Sequence, residues 1–137
     1  MSHEAIDLGR VIQAMRPMVP AEDFETSTRF YCELGFRPVT LIDGKLIEMR
    51  LGACAFLLQN YYVKEWAHNS VIHLRVSNLT LWWNHICSLD LPERYSTKLR
   101  PPRDESWAVV ASISDPSGVL WRIAEHAALN LAGQAVE

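Results

Sequence analysis

The amino-acid sequence predicts an α+β fold made of two β-α-β-β-β modules. The order of elements in the first half, one strand, one amphipathic helix and then strands, returns in the second half. A shift of 55 positions also places Asp23 on Asn78 and Leu34 on Leu89. Each pair has the same role in its half, first a helix cap and then the end of an apolar stripe. This agreement indicates an internal repeat.

The first module begins with a short extended run in "MRPMVP" and continues into a helix. Asp23 suits the N-cap of this helix and Gly35 its C-terminal cap. The residues that recur between them at helical spacing are Phe24, Ser27, Tyr31 and Leu34. Three strand-like pieces follow, "FRPVTLID", "KLIEMRL" and "ACAFLLQN", separated at Asp43-Gly44 and at Gly52. Asp-Gly between two such runs is typical of a hairpin turn.

The second module begins with "VIHLRVS", whose alternation predicts a strand. Asn78 is then placed to cap a helix, and Pro92 is expected to close it. The apolar stripe of this helix consists of Leu79, Trp82, Trp83, Ile86 and Leu89. A polar, proline-broken stretch from Glu93 to Ser106 leads to two more strands, "WAVVASIS" and "VLWRIAEHA". Between them, the Asp115-Pro116-Ser117-Gly118 segment suits a type I turn.

Composition excludes several classes of function. With 137 residues, 49% of them hydrophobic and 21% charged, the chain is expected to form one domain with a real core. A net charge of −3 argues against nucleic-acid binding, which needs a basic face. No apolar run is long enough for a membrane span and no secretory signal is recognisable, so a cytoplasmic protein is expected. The three cysteines, Cys32, Cys54 and Cys87, lie among apolar residues and are expected to be reduced, buried thiols.

Two segments carry a resemblance to a known superfamily. "EDFETSTRFYCELGF" is similar to a D-x-x-x-S-x-x-F-Y-x-x-x-L-G-F helix, with one residue missing before L-G-F, and "DPSGVLWRIAE" to a D-P-x-G-x-x-x-E-x hairpin. Both motifs are found in the vicinal oxygen chelate superfamily of glyoxalases, bleomycin resistance proteins and extradiol dioxygenases. The resemblance covers one domain, residues 11–127, with module one at 11–60, a linker at 61–69 and module two at 70–127. Residues 128–137 are expected to form a frayed tail.

The resemblance implies two curved mixed sheets forming a cup, with helices outside, the ligand inside and a homodimeric assembly. In metal-dependent members a His on the first strand and a Glu on the last strand of each module bind the metal. Counting along the motifs, these positions fall here on Arg16, on Val71, on Arg122 and within Phe56 to Leu58. None of these residue types is a metal-ligating imidazole or carboxylate. The expected protein is therefore a small-molecule binder of the bleomycin-resistance-like branch, without metal, cofactor or catalytic residues.

Strand alternation indicates which side chains face the cup. The residues expected to bind the ligand are Arg16, Met18, His73, Arg75, Trp107 and Arg122. Guanidinium groups and an aromatic ring favour an anionic or planar ligand. Drug-binding members of the superfamily tend to be acidic inside, so bleomycin itself is not expected as the ligand. An equally weighted alternative is that the arginines form internal salt bridges with acids such as Glu48 and Asp43.

Two further functions stay open. One is a metal-dependent lyase or dioxygenase that uses His73 together with Glu48 or Glu125 in an unusual register. The other is a non-catalytic interaction module whose cup is filled by its own aromatic side chains. Nucleophilic or nucleotide-dependent catalysis is not supported, because the sequence contains no G-x-S-x-G, Walker-type or G-x-G-x-x-G motif.

Overall fold

Each half of the chain forms a four-stranded mixed sheet, in a computed structural model that describes residues 5–128. The first sheet has the strand order β1-β4-β3-β2, with β1 parallel to β4 and the other pairs antiparallel. Its module, preceded by a 3-10 helix at Leu8–Val11, consists of β1 (Met18–Pro20), α1 (Phe24–Leu34), β2 (Arg37–Ile42), β3 (Leu46–Leu51) and β4 (Cys54–Gln59).

The second sheet repeats this topology with the order β5-β8-β7-β6, and β5 is parallel to β8. A short helix, α2 (Lys64–Asn69), lies in the segment that joins the modules. The second module consists of β5 (Val71–Arg75), α3 (Leu79–Ser88), α4 (Leu91–Tyr95), β6 (Leu99–Asp104), β7 (Ala108–Ser114) and β8 (Leu120–His126). The predicted α+β fold of two β-α-β-β-β modules is thus confirmed. The predicted frayed tail lies, from residue 129 onward, outside the described residues.

The helix caps predicted from the sequence are present at the start of α1 and of α3. The Asp23 side chain accepts a hydrogen bond from the Thr26 amide at 3.0 Å, and the Asn78 side chain accepts one from the Leu81 amide at 3.0 Å. Gly35 ends α1 with φ of 127°, a conformation that side-chain-bearing residues rarely adopt. Equivalent caps in the two modules therefore start equivalent helices.

One expectation for the second module was wrong. Pro92 does not close α3, which ends at Ser88, but lies in the first turn of α4, where its missing N–H costs nothing. The proline-broken stretch after α4 contains Leu99–Asp104, which pairs with β7 as the edge strand β6. Its prolines are tolerated because the register shifts between Arg100 and Arg103, and prolines in sheets are confined to edges and bulges.

The inner faces of both sheets share one hydrophobic core with the helices. At its centre four rings from both modules meet edge to face or tilted, with centroids 4.7–5.8 Å apart: Tyr31, Phe36, Phe56 and Trp121. Trp121 is therefore a packing residue, as the strand alternation indicates.

The expectation of buried cysteines was wrong. Cys32, Cys54 and Cys87 are all free thiols and exposed. Cys32 and Cys87 follow the buried Tyr31 and Ile86 in their helices and point away from the core, whereas Cys54 shares a face with the buried Phe56 but lies at the exposed start of β4.

No helix within residues 5–128 combines the length and the hydropathy needed to cross a membrane.

Candidate functional site

The second sheet has a face that points away from the shared core, here called the cup face. His73 on β5 pairs with Arg122 on β8, Arg122 pairs with Ser112 on β7, and Ser112 pairs with Arg100 on β6. Side chains of directly paired residues project from the same face of a sheet. These four side chains therefore form one row across all four strands, called the His73 row.

A second row runs beside it, two residues further along β5. In this Arg75 row, Arg75 pairs with Ala124, Ala124 with Val110, and Val110 with Arg103. Ala124 and Val110, in the centre, are small and at most 5% exposed, and both terminal arginines are exposed. The row is thus closed to solvent in the middle and cationic at both ends.

Three rings cluster at one end of the cup face. The Trp107 ring, 48% exposed, stacks on His73 with centroids 5.8 Å apart and meets His126 edge to face at 5.2 Å. The Nε2 atoms of His73 and His126 are 2.8 Å apart, so one imidazole donates a hydrogen bond to the other. Burial lowers the pKa of His126, and the charges of Arg75 and His73 lower it further. This lowered pKa favours the neutral form of the His126 imidazole.

Internal ion pairs occupy two of the predicted arginines. The Arg122 guanidinium donates to Glu105 at 2.7 Å, and Arg16 lies 3.6 Å from Glu48, an ion-pair distance too long for a hydrogen bond. Glu48 also accepts a hydrogen bond from Arg50, which lowers the pKa of that carboxyl. The internal-pairing alternative thus holds for Arg16 and Arg122. By contrast, no acidic partner of Arg75 lies within ion-pair distance in the described part of the chain.

The implied metal positions do not form a chelating set. On β4 it is Leu57 that pairs with Met18 and Glu48, while its neighbours Phe56 and Leu58 are buried in the core. The last-strand position of the first module is therefore apolar. Across residues 5–128 no group of three or more His, Cys, Asp or Glu side chains is arranged to hold a metal ion.

The unusual-register metal site also lacks its carboxylates. Glu48 is held by Arg50 and Arg16 in the first sheet. Glu125 pairs with Val109, on the opposite face from His73, and accepts a hydrogen bond from the Leu79 amide at 3.1 Å. The nearest polar partner of His73 is another imidazole.

The structure divides the predicted ligand-binding residues between the two sheets. His73, Arg75 and Arg122 share the cup face of the second sheet, and Trp107 stacks over it from the β6–β7 turn. Met18 and Arg16 belong to the first sheet and the segment before it. A cavity of about 160 Å³ is lined by residues of both modules. Pro17, which lies between Arg16 and Met18, and His73 are both part of this lining.

Sequence reasoning missed three residues of the cup face, Arg100, Arg103 and His126. Arg100 and Arg103 are three positions apart, so simple alternation places them on opposite faces, but the bulge between them returns both to the same face. His126, near the end of the last strand, lines a groove of about 460 Å³ together with Arg75, Val76, Ser77 and Glu125.

No family model and no curated protein matches this chain. Solved structures do match it. A bleomycin-binding protein complexed with bleomycin is 22% identical over 84% of this chain and 99% of its own, with a TM-score of 0.71. TnmS3, an antibiotic binding protein from Streptomyces sp. CB03234, is 17% identical over 91% and 100%, with a TM-score of 0.70. A lactoylglutathione lyase from Agrobacterium tumefaciens is 15% identical over 82% and 92%, with a TM-score of 0.62. These similarities confirm that the chain has the glyoxalase and bleomycin-resistance fold.

Proposed function

We propose that the protein binds a planar, anionic small molecule on the cup face of the second sheet, without a metal ion. The observation that carries the proposal is the pairing of an exposed aromatic ring, Trp107, with exposed guanidinium groups on the surface where the fold's ligands are expected. An aromatic face buries a large area at small entropy cost. Guanidinium groups bind carboxylates or phosphates through two parallel hydrogen bonds.

The matched structures support small-molecule binding, and the charge of the cup face in this chain favours an anionic ligand. Two of the matched structures are described as a bleomycin-binding and an antibiotic binding protein, so this fold is used for holding small molecules. In this chain the cup face carries four arginines, at positions 75, 100, 103 and 122, and one of them is neutralised by Glu105. A cationic ligand would meet repulsion here, whereas an anion would be attracted.

Arg16 and Met18 are proposed as secondary contacts from the first sheet. The cavity that Pro17 shares with His73 supports this assignment. Because Arg16 is engaged by Glu48, its contribution is expected to be smaller than that of Arg75.

We also propose that the protein is a homodimer. Apolar side chains near the N-terminus point into solvent in the single chain, with exposed fractions of 65–89%: Ile6, Leu8, Val11, Ile12 and Met15. Contiguous exposed apolar residues of this kind mark interaction surfaces. Light scattering at micromolar concentration is expected to give twice the monomer mass, and Val11→Asp with Met15→Asp is expected to give monomers. A wild-type monomer would contradict the assembly.

The ligand assignment is tested by calorimetric titration with 2-naphthoate and with 2-naphthylmethylamine, which have the same ring and opposite charges. The carboxylate is expected to bind and the amine not to bind. Arg75→Met is expected to weaken carboxylate binding about tenfold, the size of one lost charge-assisted contact. Arg29→Met, on the exposed side of α1, is the matched control and should change nothing. Equal binding of both probes, or of neither, would overturn the proposal.

Metal content separates this function from the lyase or dioxygenase. Protein purified without chelator is expected to contain far less than one equivalent of zinc, iron, nickel or manganese. A stoichiometric metal that disappears in His73→Ala would contradict the metal-free site.

A further inference from the structure

We propose that the acidic group of the ligand binds in the groove at the ends of β5 and β8, beside Arg75 and His126, and that the His73–His126 imidazole pair takes up a proton as the anion binds. This inference rests on the proposed function and adds to it the position of the anionic group and a dependence of affinity on pH. It follows from the open volume of the groove, its charges and the hydrogen bond between the two imidazoles.

The groove offers open space next to Arg75. The pairing of β5 with β8 ends at Arg75 and Ala124, after which the chain leads into α3, whereas β8 continues to His126. His126 therefore has no paired residue on β5. The groove at this step has a volume of about 460 Å³, within the roughly 300–1,000 Å³ of small-molecule sites, and Arg75, Ser77 and His126 belong to its lining.

The fixed charges of the groove are one cation and one carboxylate. Arg75 is exposed and has no acid within ion-pair distance among residues 5–128. Glu125 also lines the groove, and its carboxylate accepts a hydrogen bond from the Leu79 amide at 3.1 Å, at the start of α3. An anion bound at Arg75 therefore brings one negative charge more than these two groups balance.

The imidazole pair can supply the missing positive charge without losing its own hydrogen bond. The Nε2 atoms of His73 and His126 are 2.8 Å apart, so one ring of the neutral pair has an Nε2–H that donates to the bare Nε2 of the other. The donor ring has a bare Nδ1, and a solvent proton bound there gives an imidazolium–imidazole pair with the same Nε2–H···Nε2 contact. A second proton would break that contact, so the pair takes up one.

The surroundings of the pair oppose its protonation until an anion binds. Burial lowers the pKa of His126, and the charges of Arg75 and His73 lower it further. The other charged side chains on neighbouring elements already have polar partners: Arg122, Glu105 and Glu125. A carboxylate at Arg75 offsets the repulsion from this guanidinium, so the pKa of the pair rises on binding. The resulting gain in affinity is complete below the pKa of the free pair and is lost as the pH rises through the pKa of the bound one.

The test is calorimetric titration of the full-length protein with 2-naphthoate at about pH 6 and about pH 8, where a carboxyl with an ordinary pKa near 4 is ionised. A rise of about one unit in the pKa of the pair makes binding about fivefold tighter at the lower pH. Titrations at about pH 6.5 in two buffers of different ionisation enthalpy should show uptake of about half a proton per bound probe.

A double variant assigns the proton to the pair. In His73→Gln/His126→Gln the uptake and the pH dependence should disappear, while the affinity at about pH 8 stays within about twofold of wild type. His68→Gln is the matched control, because this imidazole lies on α2 and lines a different cavity with Gly118, and it should keep the fivefold gain. Circular dichroism establishes that each variant is folded, and His73→Asn/His126→Asn provides a second variant without the pair.

A pair of substitutions at Ser77 tests the position of the anion. Ser77→Glu adds a negative charge to the lining of the groove, and Ser77→Gln adds a side chain of the same size without the charge. At low salt the Glu variant should bind 2-naphthoate at least about fivefold more weakly than the Gln variant. Equal affinities of the two variants would overturn binding in this groove.

The remaining outcomes separate this inference from the proposed function. Equal binding at the two pH values, without proton uptake, overturns the coupling and leaves the anion site standing. A gain at the lower pH that survives in both double variants also overturns the coupling, because the proton then binds elsewhere. Failure of 2-naphthoate to bind at either pH overturns the two proposals together.

Discussion

Replacing Tyr31 by phenylalanine tests the contact that joins the two modules. The Tyr31 hydroxyl donates to the Asp115 carboxylate at 2.6 Å and accepts from the Trp121 indole at 2.9 Å. All three residues are buried, with 3% or less of their surface exposed. Tyr31→Phe removes both hydrogen bonds without changing the ring, so the packing of the aromatic cluster is kept.

The expected loss in the free energy of unfolding depends on which hydrogen bonds Asp115 and Trp121 keep in the variant. Asp115 still accepts hydrogen bonds from the Ser117 and Val119 amides, both at 2.9 Å, whereas the Trp121 N–H loses its partner in the described chain. An unsatisfied buried donor costs about 1–3 kcal/mol and a hydrogen bond to a charged group contributes about 1.5–3 kcal/mol. We therefore expect the free energy of unfolding to fall by about 2–4 kcal/mol, a large share of the roughly 5–15 kcal/mol typical of a domain.

The pH dependence of the stability loss gives this prediction a second, independent readout. Burial raises the pKa of Asp115, and the hydrogen bonds from Tyr31 and the turn amides partly oppose that rise. Because this folded-state pKa is raised, the contribution of Asp115 to stability is present below about pH 4 and is lost as the pH rises through the folded pKa. Without the Tyr31 hydroxyl the pKa rises further, so the cost of Tyr31→Phe should be larger at pH 7 than at pH 3.

The assay is urea unfolding of wild type and variants at both pH values. Tyr95→Phe is the matched control, because its hydroxyl also donates to a carboxylate, Glu33, at 2.8 Å, but that carboxylate has solvent access. It should cost less than about 1 kcal/mol. A Tyr31→Phe cost below 1 kcal/mol, or one that is equal at the two pH values, would refute the reasoning about a buried, charge-assisted contact.

Three further predictions concern the rest of the fold. Gly118→Ala should destabilise the protein by more than about 1 kcal/mol in urea unfolding, because φ is 96° and the added Cβ would lie 2.6 Å from His68; a neutral effect would contradict this turn geometry. The hydrogen bond from Arg94 lowers the pKa of Glu33, so the stability that this pair provides is present above the ordinary carboxyl pKa and is lost as the pH falls through the lowered one. Glu33→Gln should flatten that acid-side loss in pH-dependent unfolding, and an unchanged profile would exclude the pair as its source. The His126 ring should titrate below about pH 6.5 in NMR spectra, and a midpoint above that value would contradict its burial.

The elements marked by local chemistry were predictable from the sequence. Asp23 and Asn78 start the two helices because a short polar side chain satisfies the free amides of the first turn, and that requirement is visible in the sequence itself. The role of Pro92 was predicted wrongly because its signal is also purely local. A proline that ends one helix and a proline that begins the next give the same local signal.

The candidate site was only partly predictable, because it depends on pairing between distant strands. His73, Arg75 and Arg122 follow simple alternation and were found. Arg103 and Arg100 were not, since only the bulge in β6 brings both to the cup face, and a bulge is a property of two strands rather than of one. The exposed cysteines show a related limit, because apolar neighbours in sequence do not fix the side of an element on which a thiol lies.

The two motifs that carry the superfamily resemblance meet in the interior. Tyr31 and Ser27 come from the first motif and Asp115 and Ser117 from the second. Tyr31 bonds Asp115 directly, and the Ser27 and Ser117 hydroxyls lie 3.4 Å apart. The two motifs therefore supply the two sides of one buried contact between the modules, and these side chains stabilise the fold. The side chains of His73, Arg75 and Arg122 on the cup face make none of these contacts, so they can vary without loss of the buried contact. The second motif shows this separation within a few residues, because it keeps the buried Asp115 and Ser117 but has Arg122 where the resemblance implies a Glu.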